Sequence, residues 1–190
     1  MLNGAKWCLA ALIALIPVTA DSQPSPEAAV YAALFNGRDW NLEPLAQLVV
    51  KRTSIPVPTL VGSNPEWLKE WDDVPGPLRL AAHESSFTPR PPLAPELFPQ
   101  GTRFVTNDEV DSMFVPRQGA PETNWKLFRQ QFAAAGWVAF SDIYFASDDA
   151  LVYYEGRCGS LYGVGMYVWL HRGSAESDWV IRKRIVSWIS

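Results

Sequence analysis

Two histidines and two cysteines are the only imidazoles and thiols in this 190-residue chain, and their spacing limits the chemistry open to it. His83-Glu84 is half of a zinc-protease pattern, but Phe87 stands where the second histidine would have to be, one helical turn on. His171 ends an aromatic run and is followed by Arg172. With so few imidazole and thiol ligands, no metal is expected. Cys158 could act as a nucleophile only as a thiolate, which needs a cation or a helix N-terminus beside it. Arg157 is adjacent, yet Cys158 follows a strand pattern, so it reads as a small residue in a tight strand connection. There is no Gly-x-Ser-x-Gly for a serine nucleophile.

Gly156, Gly159, Gly163 and Gly165 do not match dinucleotide or P-loop spacing. A strand pattern follows them where phosphate binding needs a helix N-terminus, so no cofactor is expected and the glycines read as bulge or positive-φ positions. Two carboxylates remain, Asp142 in the first and Glu155 in the second of the C-terminal strand patterns. An acid in an otherwise apolar strand is a candidate for proton transfer or binding. Arg157, two residues from Glu155, supplies an ion-pair partner that explains Glu155 equally well. The candidate binding residues are therefore Asp142, Glu155, Arg157, Cys158 and Tyr162, and no catalytic set is assigned.

These residues sit on four runs between 137 and 190 that are rich in aromatic and β-branched side chains. Gly, Asp and Ser separate the runs, which predicts consecutive antiparallel strands. A turn is expected at 147–149, the glycine-rich stretch 156–165 joins the second and third runs, and 173–176 joins the third and fourth. Upstream, Ser25-Pro26-Glu27 starts a helix with an N-cap hydroxyl, a first-turn proline and an acid. Asn36-Gly37 ends it, and 45–54 reads as a strand. Ten of the sixteen prolines lie between 56 and 99, so regular structure there must be short. Within that stretch, Asn64-Pro65-Glu66 opens a brief helix, and 87–100 reads as an ordered wrapping loop. Thr106-x-x-Glu109 is a capping box before a short helix. Ala120-Pro121-Glu122 opens another, with Trp125, Phe128 and Phe132 on one face and Gly136 as its C-cap.

The predicted fold class is α+β: N-terminal helices on one face of a mostly antiparallel sheet of four or five strands. A cone-shaped sheet of the cystatin or nuclear-transport-factor kind is the analogy for that order of elements.

Residues 1–20 read as a signal peptide. Lys6 precedes the apolar run 7–16, and Pro17-Val18-Thr19-Ala20 supplies a break and small residues for cleavage near Ala20. That run is too short to span a bilayer, which takes about 20 apolar residues. The expectation is an exported protein, periplasmic or extracellular, with residues 21–190 forming a single α+β domain. Cys8 leaves with the signal peptide, so the mature chain has one cysteine and no internal disulfide. The formal charge of −4 and the lack of a basic face exclude nucleic acid as the expected partner.

The run ALVYYEGRCGSLYGVGMYVWLHR and the closing DWVIRKRIVSWIS resemble an uncharacterised family of exported bacterial proteins. Its pattern is an ALVY strand, a Cys-Gly-x-Leu-Cys-Gly connection, an aliphatic strand and a final Trp-Ile-Ser. The likeness covers the last 55 or so residues, and weakly the helix at 30–34. It implies export and no established activity. Tyr162 stands where the family's second cysteine would be, so a cysteine pair there is not available to this chain.

The first functional expectation is a non-catalytic exported module that binds a small molecule, a peptide or an envelope protein through its sheet. The alternatives are a small hydrolase or lyase using Asp142 or Glu155 with a histidine, and an inhibitor or immunity protein for a secreted enzyme.

Overall fold

The computed structural model describes residues 24–37, 47–58, 65–85, 92–114 and 121–190; the expected signal peptide lies outside them. Five helices and seven strands follow in the order α1 (Pro26–Asn36), β1 (Leu48–Lys51), α2 (Pro65–Asp72), α3 (Gly76–Ser85), β2 (Phe104–Val105), α4 (Asn107–Phe114), α5 (Pro121–Phe132), β3 (Gly136–Phe140), β4 (Tyr144–Ala146), β5 (Asp149–Gly159), β6 (Tyr162–His171) and β7 (Val180–Ile189). The fold is α+β, with one sheet ordered β2-β1-β3-β5-β6-β7 and β4 also paired to β5.

The sheet is mixed rather than purely antiparallel. β3, β4, β5, β6 and β7 pair antiparallel, as alternating apolar runs with short turns dictate. β1 joins β3 in parallel, and β2 joins β1 in parallel. Parallel neighbours need long connections. Residues 52–135, with four helices, supply the one between β1 and β3.

Helices cover both faces of the sheet, not one. Side chains alternate along a strand, so β5 and β6 send their even-numbered residues to one face and odd-numbered residues to the other. On the even face, Val152, Tyr154, Met166 and Val168 pack with Val30, Tyr31 and Leu34 of α1. Leu93 and Phe98 join them, so 92–99 wraps the core as its apolar residues require; Phe98 stacks on Tyr31 with ring centroids 4.1 Å apart. On the odd face, Leu151, Tyr153 and Tyr167 pack with Leu78 and Ala82 of α3. Further along that face, Val49, Trp137 and Ala139 pack with Val110 of α4 and Trp125 and Phe128 of α5.

Local signals set several boundaries. Ser25 Oγ accepts from the Ala28 N–H at 3.2 Å. Thr106 and Glu109 close the capping box: Glu109 Oε2 accepts from the Thr106 N–H at 2.6 Å, and Thr106 Oγ1 accepts from the Glu109 N–H at 3.2 Å. Those bonds hold the Glu109 carboxyl below its ordinary range, the backbone bond contributing most.

Four expectations are corrected. The run 137–146 is two strands, β3 and β4, because the chain breaks at 141–143. Buried Ser141 repairs the ladder there: its N–H donates to Tyr153 O at 2.8 Å, and its Oγ accepts from the Tyr153 N–H at 2.9 Å. Asp142 therefore lies in a break, not inside a strand. Gly136 begins β3 and does not cap α5. Ala133 takes the left-handed turn (φ 44°) instead, with Arg103 donating to the carbonyls of Phe132 and Ala133. Finally, 156–165 is no loop: β5 runs to Gly159, β6 starts at Tyr162, and a register shift falls between Arg157 and Gly159.

Candidate functional site

The odd-numbered face of β5 and β6 carries Tyr153, Glu155 and Arg157 on one strand and Gly163, Gly165 and Tyr167 on its neighbour. Two glycines in alternate positions leave a gap in the side-chain layer of β6. Trp188 of β7 fills it and reaches across to β5. A methyl group added at Gly165 would overlap Trp188 Nε1 and the Tyr153 hydroxyl, and one at Gly163 would lie 3.0 Å from the Trp188 ring and 3.2 Å from Arg157. Neither glycine has positive φ, which among the described glycines occurs at Gly101. Space, not backbone conformation, selects glycine at 163 and 165.

A chain of polar contacts crosses this gap. Trp188 Nε1–H donates to the Tyr153 hydroxyl at 2.9 Å, and Tyr153 donates to Glu155 Oε1 at 2.9 Å. Burial pushes the Tyr153 phenol well above its ordinary range, and the Glu155 charge and hydrogen bond push it further. Tyr153 is thereby held as a donor, and Glu155 as its acceptor. The Arg157 guanidinium lies over the Trp188 ring, 5.2 Å from its centroid. Glu155 thus turns to Tyr153 while Arg157 turns to Trp188, and among the described residues no ion pair joins Glu155 to Arg157.

Beside Arg157 the sheet face opens into a groove of 380 Å³. Phe114 of α4 and Trp125 of α5 form one wall, their ring centroids 4.6 Å apart. Trp137, directly opposite Arg157 in the β3–β5 register, lies with it along the sheet side. Asp111 also lines the groove, but Lys51 Nζ donates to its Oδ1 at 3.2 Å while lying 4.5 Å from the Trp137 ring centroid. Ser160 donates to Glu122. The pocket is small-molecule sized, with three aromatic rings and Arg157 among its lining residues.

Comparison with protein families, curated proteins and solved structures finds no match to this chain.

The structure separates the residues singled out in the sequence. Glu155 and Arg157 share the odd face, and Arg157 lines the groove. Cys158 and Tyr162 sit at the hairpin end with Arg129 and Ala135 around a second depression. There Cys158 Sγ is 3.8 Å from Tyr162 O, and Arg129 donates to the Cys158 carbonyl at 3.2 Å. The Tyr162 side chain is exposed. Asp142 lies near α1, where its charge, after burial, helps hold the Tyr31 phenol protonated.

The carboxylate–histidine pair resolved here uses neither Asp142 nor Glu155. Asp149 Oδ1 lies 3.0 Å from His171 Nδ1 and accepts from Trp169 Nε1 at 2.8 Å. This contact orients the imidazole at the opposite end of the hairpin. Glu155 is six residues along the strand from Asp149, about 20 Å away. Among the described residues no group of three or more His, Cys, Asp or Glu is placed to hold a metal ion.

Phe114, Trp125, Trp137, Tyr153 and Trp188 belong to the site but were not singled out by sequence. One signal was legible: Gly163-x-Gly165 on one strand face marks a missing side-chain layer, and a large ring from the next strand is what fills such a gap.

Proposed function

We propose that this protein is a non-catalytic exported binding module that takes a small molecule in the groove between Trp125, Phe114, Trp137 and Arg157. The observation that carries this reading is the groove itself: aromatic walls at small-molecule size with one unpaired cation. A site built for catalysis would place a nucleophile, acid or base against that space. Of the groups of that kind in the lining, Ser160 is bonded to Glu122 and Asp111 to Lys51. Export is supported by Lys6, the apolar run 7–16 and the small residues at 18–20. Among the described residues, no helix is long and apolar enough to cross a membrane.

The test is an NMR titration with indole and indole-3-acetate as probes, followed at the indole N–H resonances of Trp125 and Trp137. Saturable shifts at both, abolished by Ser160→Trp, are expected, because that substitution puts a large ring on the groove wall. Unmoved resonances at millimolar concentrations of both probes would overturn the reading.

A further inference from the structure

The geometry points to a ligand class for this groove: a small aromatic carboxylate, its ring among Phe114, Trp125 and Trp137 and its carboxylate on Arg157. This inference rests on the groove being the binding site, and deepens that reading.

The argument starts from the charges around the groove. Asp111 is taken by Lys51, Glu155 accepts from Tyr153, and Glu122 accepts from Ser160. Each acid near the site already has a donor. Arg157 is the reverse case. A guanidinium stays protonated and presents five N–H donors in a planar fork. Among the described residues, none of those donors meets an acceptor, and no carboxylate pairs with the group. Its nitrogens are not among the buried polar atoms that lack a partner, so they face solvent and are accessible to a ligand.

The group is also held in place. The guanidinium lies over Trp188, 5.2 Å from its centroid, and Trp188 is in turn held by its bond to Tyr153 and by the Gly163–Gly165 gap. A fork held this way loses little freedom when it grips a two-oxygen anion, so each bond contributes more to affinity. Carboxylate and guanidinium match as bidentate partners. Phe114, Trp125 and Trp137 line the same volume, which favours a flat apolar body for the remainder of the ligand. Trp188, Tyr153 and Glu155 are positioning residues in this scheme: they act through Arg157 and do not touch the ligand.

Titration calorimetry on the mature protein with indole-3-acetate and its neutral amide, indole-3-acetamide, tests the inference. The acid is expected to bind about tenfold more tightly than the amide, the gain of a charge-assisted bidentate contact. Arg157→Gln is expected to remove that preference while the amide binds as before, which also reports that the variant is folded. Trp188→Phe keeps a ring but loses the N–H, and is expected to shrink the preference with little change for the amide. Equal binding of acid and amide, or a preference that survives Arg157→Gln, would overturn the carboxylate assignment and leave the groove as a site. Failure of both probes to bind would overturn both readings.

Discussion

At the scale of single residues, the decisive positions are the ones that make room. Gly165 lets Trp188 and Tyr153 meet in a space that any side chain would occupy. Tyr153 is fully buried and packs against Tyr167 with ring centroids 4.9 Å apart, so it cannot step aside cheaply. Gly165→Ala is therefore expected to destabilise the fold by about 1–3 kcal/mol, the usual cost of overpacking a core. It should also free the Trp188 indole, seen as faster exchange of its N–H. Urea denaturation gives the first quantity and NMR the second; an unchanged midpoint would show that β7 absorbs the methyl without losing the contact. Ser141 makes the complementary point. Its hydroxyl and amide both bond to the backbone of Tyr153, which keeps the ladder intact across the break between β3 and β4. An unbonded buried amide there would be costly.

At the scale of elements, β7 presents the problem that every edge strand presents. Among the described residues it pairs with β6 alone, which leaves the other row of its backbone groups without a strand partner there. Its sequence holds two defences. Arg182-Lys183-Arg184 puts charge at the strand centre, with Lys183 paired to Asp73 at 2.5 Å. Two register shifts, near Gly165/Met166 and Trp169/Leu170, break the regularity that a second strand would need. Val180 and Ile189 are exposed at the two ends, so the charged centre is what separates apolar flanks. Arg182→Val with Lys183→Val is expected to convert the edge into a sticky one. Light scattering of the double variant should show concentration-dependent assembly, whereas Arg182→Glu should stay dispersed. A double variant that stays monomeric would mean the register shifts suffice alone.

At the scale of the whole molecule, the sheet is sandwiched, and both layers carry buried tyrosines that report on it. Tyr31 lies in the layer under α1, and Tyr153 and Tyr167 in the layer under α3. Burial pushes all three phenols above their ordinary range; the nearby charges of Asp142 and Glu155 add to this for Tyr31 and Tyr153 respectively. The sign follows from linkage. Unfolded tyrosines release protons near pH 10, while these three keep theirs in the folded state. The stability they contribute is fully present below that pH and is lost as pH rises above it. The urea midpoint is expected to hold steady to about pH 9 and then fall. Absorbance at 295 nm should reveal Tyr31, Tyr153 and Tyr167 ionising only as the protein unfolds. Ionisation of all six tyrosines while the fold persists would contradict the burial of these rings.

What the sequence alone determined was local. The capping box at Thr106 and Glu109, the N-cap at Ser25, the apolar face of α5 and the aromatic and β-branched runs of β5, β6 and β7 are written in residues a few positions apart. Helix caps and strand alternation depend on near neighbours, so they can be read without knowing the fold. α3 escaped because Pro75 and Pro77 mark its start inside a proline-rich stretch that argued against regular structure. The parallel docking of β1 and β2 also escaped, since it joins strands separated by the long segments 52–103 and 52–135, and no local pattern encodes that choice. The site divides the same way. Arg157 and Glu155 stood out by type, but which acid pairs with which base depends on where side chains turn. Only the tertiary structure sent Glu155 to Tyr153, Asp149 to His171, and Arg157 to Trp188 above two glycines. Whether a charge is satisfied or left open is a property of three-dimensional neighbours, and that is what made Arg157 the centre of the site.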